Sequence, residues 1–186
     1  MKIIQGKYKG RVLKGFDIEG TRPTMDRVKE SLFAMIQNKI NGSTILDLFS
    51  GSGNLGIEAL SMNAKDVVFV DKNKICYKTI KENLSMINEE REVLNLDYKE
   101  ALKYLKGKYK FDIIFLDPPY KDDLIEKSLN LICEYDLLSE NGIIVCETDN
   151  INKIKTKYML NEVKNRKYGE KIVVILKKWC YTIIRW

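Results

Sequence analysis

Residues 111–120 read FDIIFLDPPY. Four apolar residues, Ile113, Ile114, Phe115 and Leu116, stand between two aspartates. A run so short and so rich in β-formers predicts a strand buried on both faces, the kind parallel sheets contain. Asp117 then falls at the strand's carboxyl end, where open α/β sheets bind their ligands. Pro118 and Pro119 cannot continue the ladder and hold a stiff, non-helical turn. That turn presents a carboxylate, a backbone carbonyl and, at Tyr120, an aromatic ring. The exocyclic amine of a nucleobase is a poor nucleophile, because its lone pair is delocalised into the ring. The Asp117 carboxylate and the Pro118 carbonyl, gripping its N–H groups, would favour a pyramidal nitrogen and stabilise the transition state more than the ground state. Tyr120 would stack on the base, for roughly 1–3 kcal/mol. Taken alone, the motif fits equally well a strand that ends in a proline turn with a solvated aspartate.

Outward from this stretch, strands and helices alternate. Strands are expected over 44–49, 66–71, 92–97 and 142–147, and helices over 53–62, 73–87, 98–106 and 124–135. Repeated β–α units of this length predict a doubly wound, mainly parallel α/β sheet. Beyond Asn150 a short helix and a hairpin (158–166 and 171–177, turning at Tyr168-Gly169) complete it. Before it, residues 1–5 and 11–16 read as two short strands around GKYKG, whose Lys7, Lys9 and Arg11 interleave with Tyr8 in a pattern suited to RNA. Pro23 keeps Arg22 extended, Thr24 is a candidate N-cap, and Val28, Leu32, Met35 and Ile36 recur at helical spacing to about Ile40. Arg22 and Arg27 are candidates either for RNA contact or for pairing with carboxylates, the commoner use of an arginine near a helix cap. Residues 1–42 are thus expected as a basic extension, 43–178 as the core and 179–186 as a tail.

The 186 residues suit one domain, and 45% hydrophobic with 31% charged residues is an ordinary globular composition. No apolar run reaches membrane-spanning length, and no secretory leader is apparent, so neither a membrane nor export is expected. Four scattered cysteines, without a C-x-x-C pair, read as reduced thiols of a cytoplasmic protein. The absence of histidine excludes His-ligated zinc and Ser-His or Cys-His catalysis, and no metal is expected. The net charge of +6 is unevenly spread, with +5 over residues 1–46, −7 over 47–150 and +8 over 151–186. An acidic middle between basic ends suggests a polyanion held by the flanks.

Residues 46–56, LDLFSGSGNLG, place Gly51-x-Gly53-x-x-Gly56 between a strand and a helix, with Asp71 ending the next strand. That is the generic dinucleotide fingerprint, so an NAD enzyme is the first rival. Asp47 separates the two readings. A diphosphate wants helix-end N–H groups and no carboxylate beside them. S-adenosyl-L-methionine has no phosphate but carries two positive charges. Asp47 would hold its ammonium directly or through water, Asp71 its ribose hydroxyls and Asp97 its adenine.

Five segments then carry a resemblance. MKIIQGKYKGRVL, GTRPTMDRVKESLF, LDLFSGSGNLGIEALS, FDIIFLDPPY and NRKYGEKIVVIL, in this order, resemble the RsmD family of bacterial 16S rRNA guanine-N2 methyltransferases. The resemblance covers 1–178. It implies the Rossmann-like class I methyltransferase fold, with seven strands of which the last is antiparallel. It also implies that Asp47, Phe49, Ser50, Gly51 and Gly53 line the methionine end, with Asp71 and Asp97 at the nucleoside. Asp117, Pro118, Pro119 and Tyr120 would form the amine site, and Lys7, Lys9, Arg11 and Arg22 would face 16S rRNA or the small ribosomal subunit. A monomer is expected. An adenine amino-methyltransferase shares the Asp-Pro-Pro-Tyr logic, but the chain has no room for a target-recognition domain. A binding-only assembly factor is the other alternative, and intact Asp47, Asp71 and Asp117 argue against it.

Overall fold

A computed structural model describes residues 1–15, 26–119, 123–154 and 160–178. Tyr120, Arg22, Thr24 and the 179–186 tail lie outside them. Among the described residues, seven strands form one sheet in the order β3-β2-β1-β4-β5-β7-β6. They are β1 Thr44–Asp47, β2 Asp66–Val70, β3 Val93–Leu94, β4 Phe111–Leu116, β5 Leu138–Thr148, β6 Leu160–Tyr168 and β7 Lys171–Lys178. The first five run parallel; β7 pairs antiparallel with β5, and β6 antiparallel with β7. The helices are α1 Asp26–Ile40, α2 Asn54–Ser61, α3 Lys74–Met86, α4 Tyr98–Leu105 and α5 Leu124–Glu134. A 3-10 turn, Ile151–Lys153, follows β5.

The β4 run is buried as its composition demands. Ile113 and Phe115 face the layer made by α1, α2 and α3, which also contains Ile3, Leu13, Val28, Leu32 and Phe33. Ile114 and Leu116 face the layer under α4 and α5. Because side chains alternate along a strand, each central strand feeds both cores. The outermost strand, β6, exposes Lys164, Arg166 and Lys167, which blunt a free sheet edge against pairing with another chain.

Three expected elements differ. Residues 1–15 form no paired strands but a single antiparallel bridge, Lys2 to Val12. The Ile3, Gly10 and Leu13 N–H groups still bond across the turn at 2.8–2.9 Å, but the Ile4 and Gln5 N–H groups donate to the Glu58 carboxylate at 2.7–3.0 Å, and Lys7 N–H to the Ser61 carbonyl at 2.8 Å. The third strand is only two residues long, because Asp97 leaves the sheet to cap α4, accepting from the Lys99 N–H at 3.0 Å. β5 starts at Leu138 rather than Gly142. Its pairing with β4 shifts register between Phe111 and Ile113, and at Gly142 an added Cβ would lie 2.7 Å from Leu138 Cδ1 and 3.0 Å from the Phe111 carbonyl. The glycine marks a close approach at a bulge, not the start of the strand.

Candidate active site

The loop from β1 to α2 is shaped by two carboxylates and a serine. Asp47, the last residue of β1, is 3% exposed, and its Oδ2 accepts the Gly56 N–H at 2.9 Å in the first turn of α2. Asp71, just past β2, accepts the Gly51 N–H at 2.9 Å on Oδ2 and the Asn73 N–H at 2.8 Å on Oδ1. Ser50 bridges the strands, donating to the Asp47 carbonyl at 2.6 Å while accepting the Val70 N–H at 3.0 Å. Gly51 and Gly53 sit at φ 56° and 81°, a left-handed conformation that side chains disfavour. Gly56 is required for space: an added Cβ would lie 2.3 Å from the Phe69 ring.

Burial pushes the Asp47 carboxyl up to about 7, with the nearby Asp71 charge adding to it and the Gly56 bond opposing. Burial raises Asp71 as well, against the pull of its two backbone bonds. Two acids whose negative charge is poorly compensated make a seat for a cation. A phosphate is disfavoured there: one amide of the first α2 turn, that of Gly56, is taken by Asp47, whose carboxyl group stands beside the helix end. That carboxylate weighs against the dinucleotide reading.

Asp117 follows β4, the neighbour of β1. Asp47 is in register with Phe115, so Asp117 emerges level with Phe49, beside the glycine loop. By alternation it belongs to the same sheet face as Phe115, the face of Asp47 and α2. Asp117 is half-buried, Pro118 buried and Pro119 exposed. Phe49 packs on Tyr98 at 5.8 Å between ring centroids, placing an aromatic pair next to Asp97.

A family model described as "Conserved hypothetical protein 95" matches residues 1–177. The chain belongs to this family, the RsmD family. It is 41% identical over 152 residues to "Ribosomal RNA small subunit methyltransferase D" of Haemophilus influenzae, covering 80% of this chain and 79% of that protein. It is 42% identical to "Putative rRNA methyltransferase YlbH" of Bacillus subtilis, covering 96% and 99%. Among solved structures, "Putative methyltransferase yhhF" of Escherichia coli superposes with a TM-score of 0.82 at 28% identity, over 96% of this chain and 97% of that one. The RsmD resemblance and the methyltransferase sheet with its antiparallel strand both hold.

The basic residues expected at RNA are divided by the fold. Segment 1–6 runs down α2, so the tip bearing Lys7, Tyr8 and Lys9 meets the carboxyl ends of α2 and α3, at the end of the sheet away from Asp117. There Lys7 pairs with Glu89 at 2.9 Å, Tyr8 donates to the same carboxylate at 2.5 Å, and Arg11 donates to the Met86 carbonyl at 2.5 Å. Lys9 and Arg27 are exposed. Asp97, expected at the adenine, spends one oxygen on its helix cap.

Sequence reasoning missed the polar centre that ties this RsmD-family chain's amino-terminal segment to its glycine loop. Lys29 of α1 is 0% exposed. It donates to the Lys2 carbonyl at 2.7 Å and to Asn54 Oδ1 at 2.8 Å, and pairs with Glu58 at 2.8 Å. Asn83 of α3 does the same work nearby: it accepts the Lys14 N–H at 2.8 Å and donates to the Ser52 carbonyl at 2.9 Å. Ser52 and Asn54 flank Gly53, so both clamps end on the loop.

Proposed function

We propose that the chain methylates the exocyclic N2 amine of a guanine in small-subunit ribosomal RNA, in the cytoplasm, with S-adenosyl-L-methionine as donor. The observation that carries the reading is the pair of under-compensated carboxylates, Asp47 and Asp71, behind a glycine loop whose first helical turn already gives the Gly56 amide to Asp47. The small-subunit specificity named for the Haemophilus influenzae relative, at 41% identity, supports the substrate. The donor supplies a sulfonium methyl that is already activated, so no group must make a strong nucleophile before attack. Asp47 is too buried to enclose a ligand and acts through its field or a bridging water, while Asp71 presents a half-buried carboxylate toward ribose hydroxyls.

Asp117 and the Pro118 carbonyl accept the amine's two N–H groups, holding its lone pair toward the loop. The bound donor would give up its methyl from sulfur to the amine nitrogen, and Asp117 or water would take the amine's proton. Alignment of the two partners contributes roughly 7–11 kcal/mol when the reacting atoms are held near attack distance. Lys9, Arg22 and Arg27 contact RNA phosphates. Asp117→Ala tests the site. Turnover on small ribosomal subunits should fall by about a hundredfold or more, while calorimetry finds cofactor affinity within about twofold. Near-normal turnover removes Asp117 from the mechanism.

A further inference from the structure

The end of the sheet opposite Asp117 carries a second basic surface. Residues 103–110, KYLKGKYK, join α4 to β4 with four lysines, two tyrosines and no acid. Gly107, at φ 74°, turns the chain where an added Cβ would meet nothing within 4 Å. The turn and the end of α5 enclose an open groove of about 320 Å³ lined by Lys106, Lys108, Lys110, Tyr109, Tyr135 and Asp136. The Lys106 ammonium lies 4.8 Å from the Tyr135 ring centre and that of Lys108 3.3 Å from the Tyr104 ring centre. The groove's one acid, Asp136, is shared by two ammoniums, Lys110 and Lys178. Those two hold its carboxyl below the usual carboxylate range, so it stays charged yet outnumbered.

Two of the acids between this groove and the amino-terminal tip are engaged as well. Glu92 accepts from Tyr104 and Tyr109, and Glu89 from Lys7, Tyr8 and Arg91. The groove and the Lys7–Tyr8 tip therefore meet through the loop between α3 and β3, at one end of the molecule.

We infer that the Lys106–Lys110 groove grips the ribose-phosphate backbone of the RNA substrate, away from the nucleotide being methylated. Cations interleaved with aromatic rings suit a phosphate backbone with exposed bases. The groove lies at the amino end of β4 and Asp117 past its carboxyl end. Six residues of strand separate them, about 20 Å at 3.3 Å per residue. One RNA touching both must be a folded domain rather than a short oligonucleotide around the target. The inference rests on the rRNA methyltransferase reading and adds to it a second anchor.

The test is RNA affinity against salt, measured with the full chain and a transcript of a small-subunit rRNA domain that the wild type methylates. Removing two phosphate contacts in Lys106→Ala/Lys108→Ala lowers the salt slope by about 1.5, so its affinity deficit shrinks roughly eightfold between 50 and 200 mM salt. KM for RNA rises, and cofactor affinity measured by calorimetry stays at the wild-type value. Lys106→Arg/Lys108→Arg keeps the wild-type slope. A wild-type slope in the alanine variant overturns the inference, as does equal loss in the arginine variant. A deficit seen only on assembled subunits, and not on naked RNA, overturns it in favour of a protein contact. If the wild type methylates neither the transcript nor small ribosomal subunits, the function reading itself has failed, a separate outcome.

Discussion

Beneath α4 and α5 the sheet meets Ala101, Leu102, Leu129 and Ile132, and the strands answer with Leu46, Val68, Ile114 and Leu116. Beneath α1, α2 and α3 the aliphatic packing is interrupted by Lys29, Asp47, Asn54, Glu58 and Asn83, all buried. The first face is a core that any well-packed helix pair would supply. The second carries Lys29 and Glu58, charges whose desolvation costs several kcal/mol each and which persist only because they are densely bonded. Lys29 has three oxygen partners, and Glu58 takes two backbone amides besides the ammonium. What that face gains is position: Lys29 and Asn83 end on the two residues flanking Gly53. One face holds the sheet together, and the other holds the site in register.

If so, the polar face should fail hardest when one partner is removed. Lys29→Met strands Glu58 as a buried, unpaired charge, and breaking such a pair costs about 3–5 kcal/mol. Urea denaturation should register this as a lower midpoint with an unchanged slope. Adding Glu58→Leu should recover only part of the loss, because the Ile4 and Gln5 amides are then left without their acceptor. Full recovery would make the pair a packing element with no hold on the amino-terminal segment. The dry face gives the contrast. Leu102→Ala leaves a cavity under α4 worth about 2–5 kcal/mol, yet cofactor affinity measured on the folded variant should match the wild type.

The two faces were also unequally legible in the sequence. Short apolar runs such as Ile113–Leu116 announce buried strands, because no polar alternation is left for a solvent face. The glycine loop is legible too, since its spacing expresses a backbone need, and the Asp47–Gly56 bond completes what the spacing suggests. Lys29 gave no sign. It follows Val28 on a helix of ordinary periodicity, and lysine is among the residue types least often buried. Its counter-charge lies 29 residues on, within GIEALS, a segment that reads as plain helix. The amino-terminal strands were expected because Ile3, Val12 and Leu13 look strand-like. That pattern cannot reveal that the amides of residues 4 and 5 are claimed by a glutamate from another helix. Likewise the segment 92–97 looks like six residues of strand until Asp97 is seen capping α4, a choice between two local uses of one side chain.

The smallest effect is the most specific to the polar face. Asp47 is protonated in about half the molecules near pH 7 when the cofactor is absent. Its folded value is raised above the unfolded one, so its contribution is complete below about pH 4 and is lost as pH rises through 7. The ligand-free protein should therefore lose stability from pH 5 to 8. The chain has no histidine, and Asp71, which burial also raises, shifts stability in the same direction. A cationic cofactor favours the charged carboxylate and expels the proton. Affinity for S-adenosyl-L-methionine should thus climb by up to about tenfold per pH unit below 7 and level off above it. Calorimetry in buffers of different ionisation enthalpy would count the released proton. Asp47→Asn keeps an acceptor for the Gly56 N–H while removing the charge, so its affinity should be lower and flat with pH. A flat profile in the wild type would mean that Asp47 shapes the loop without feeling the cofactor's charge, and the polar face would then be scaffold alone.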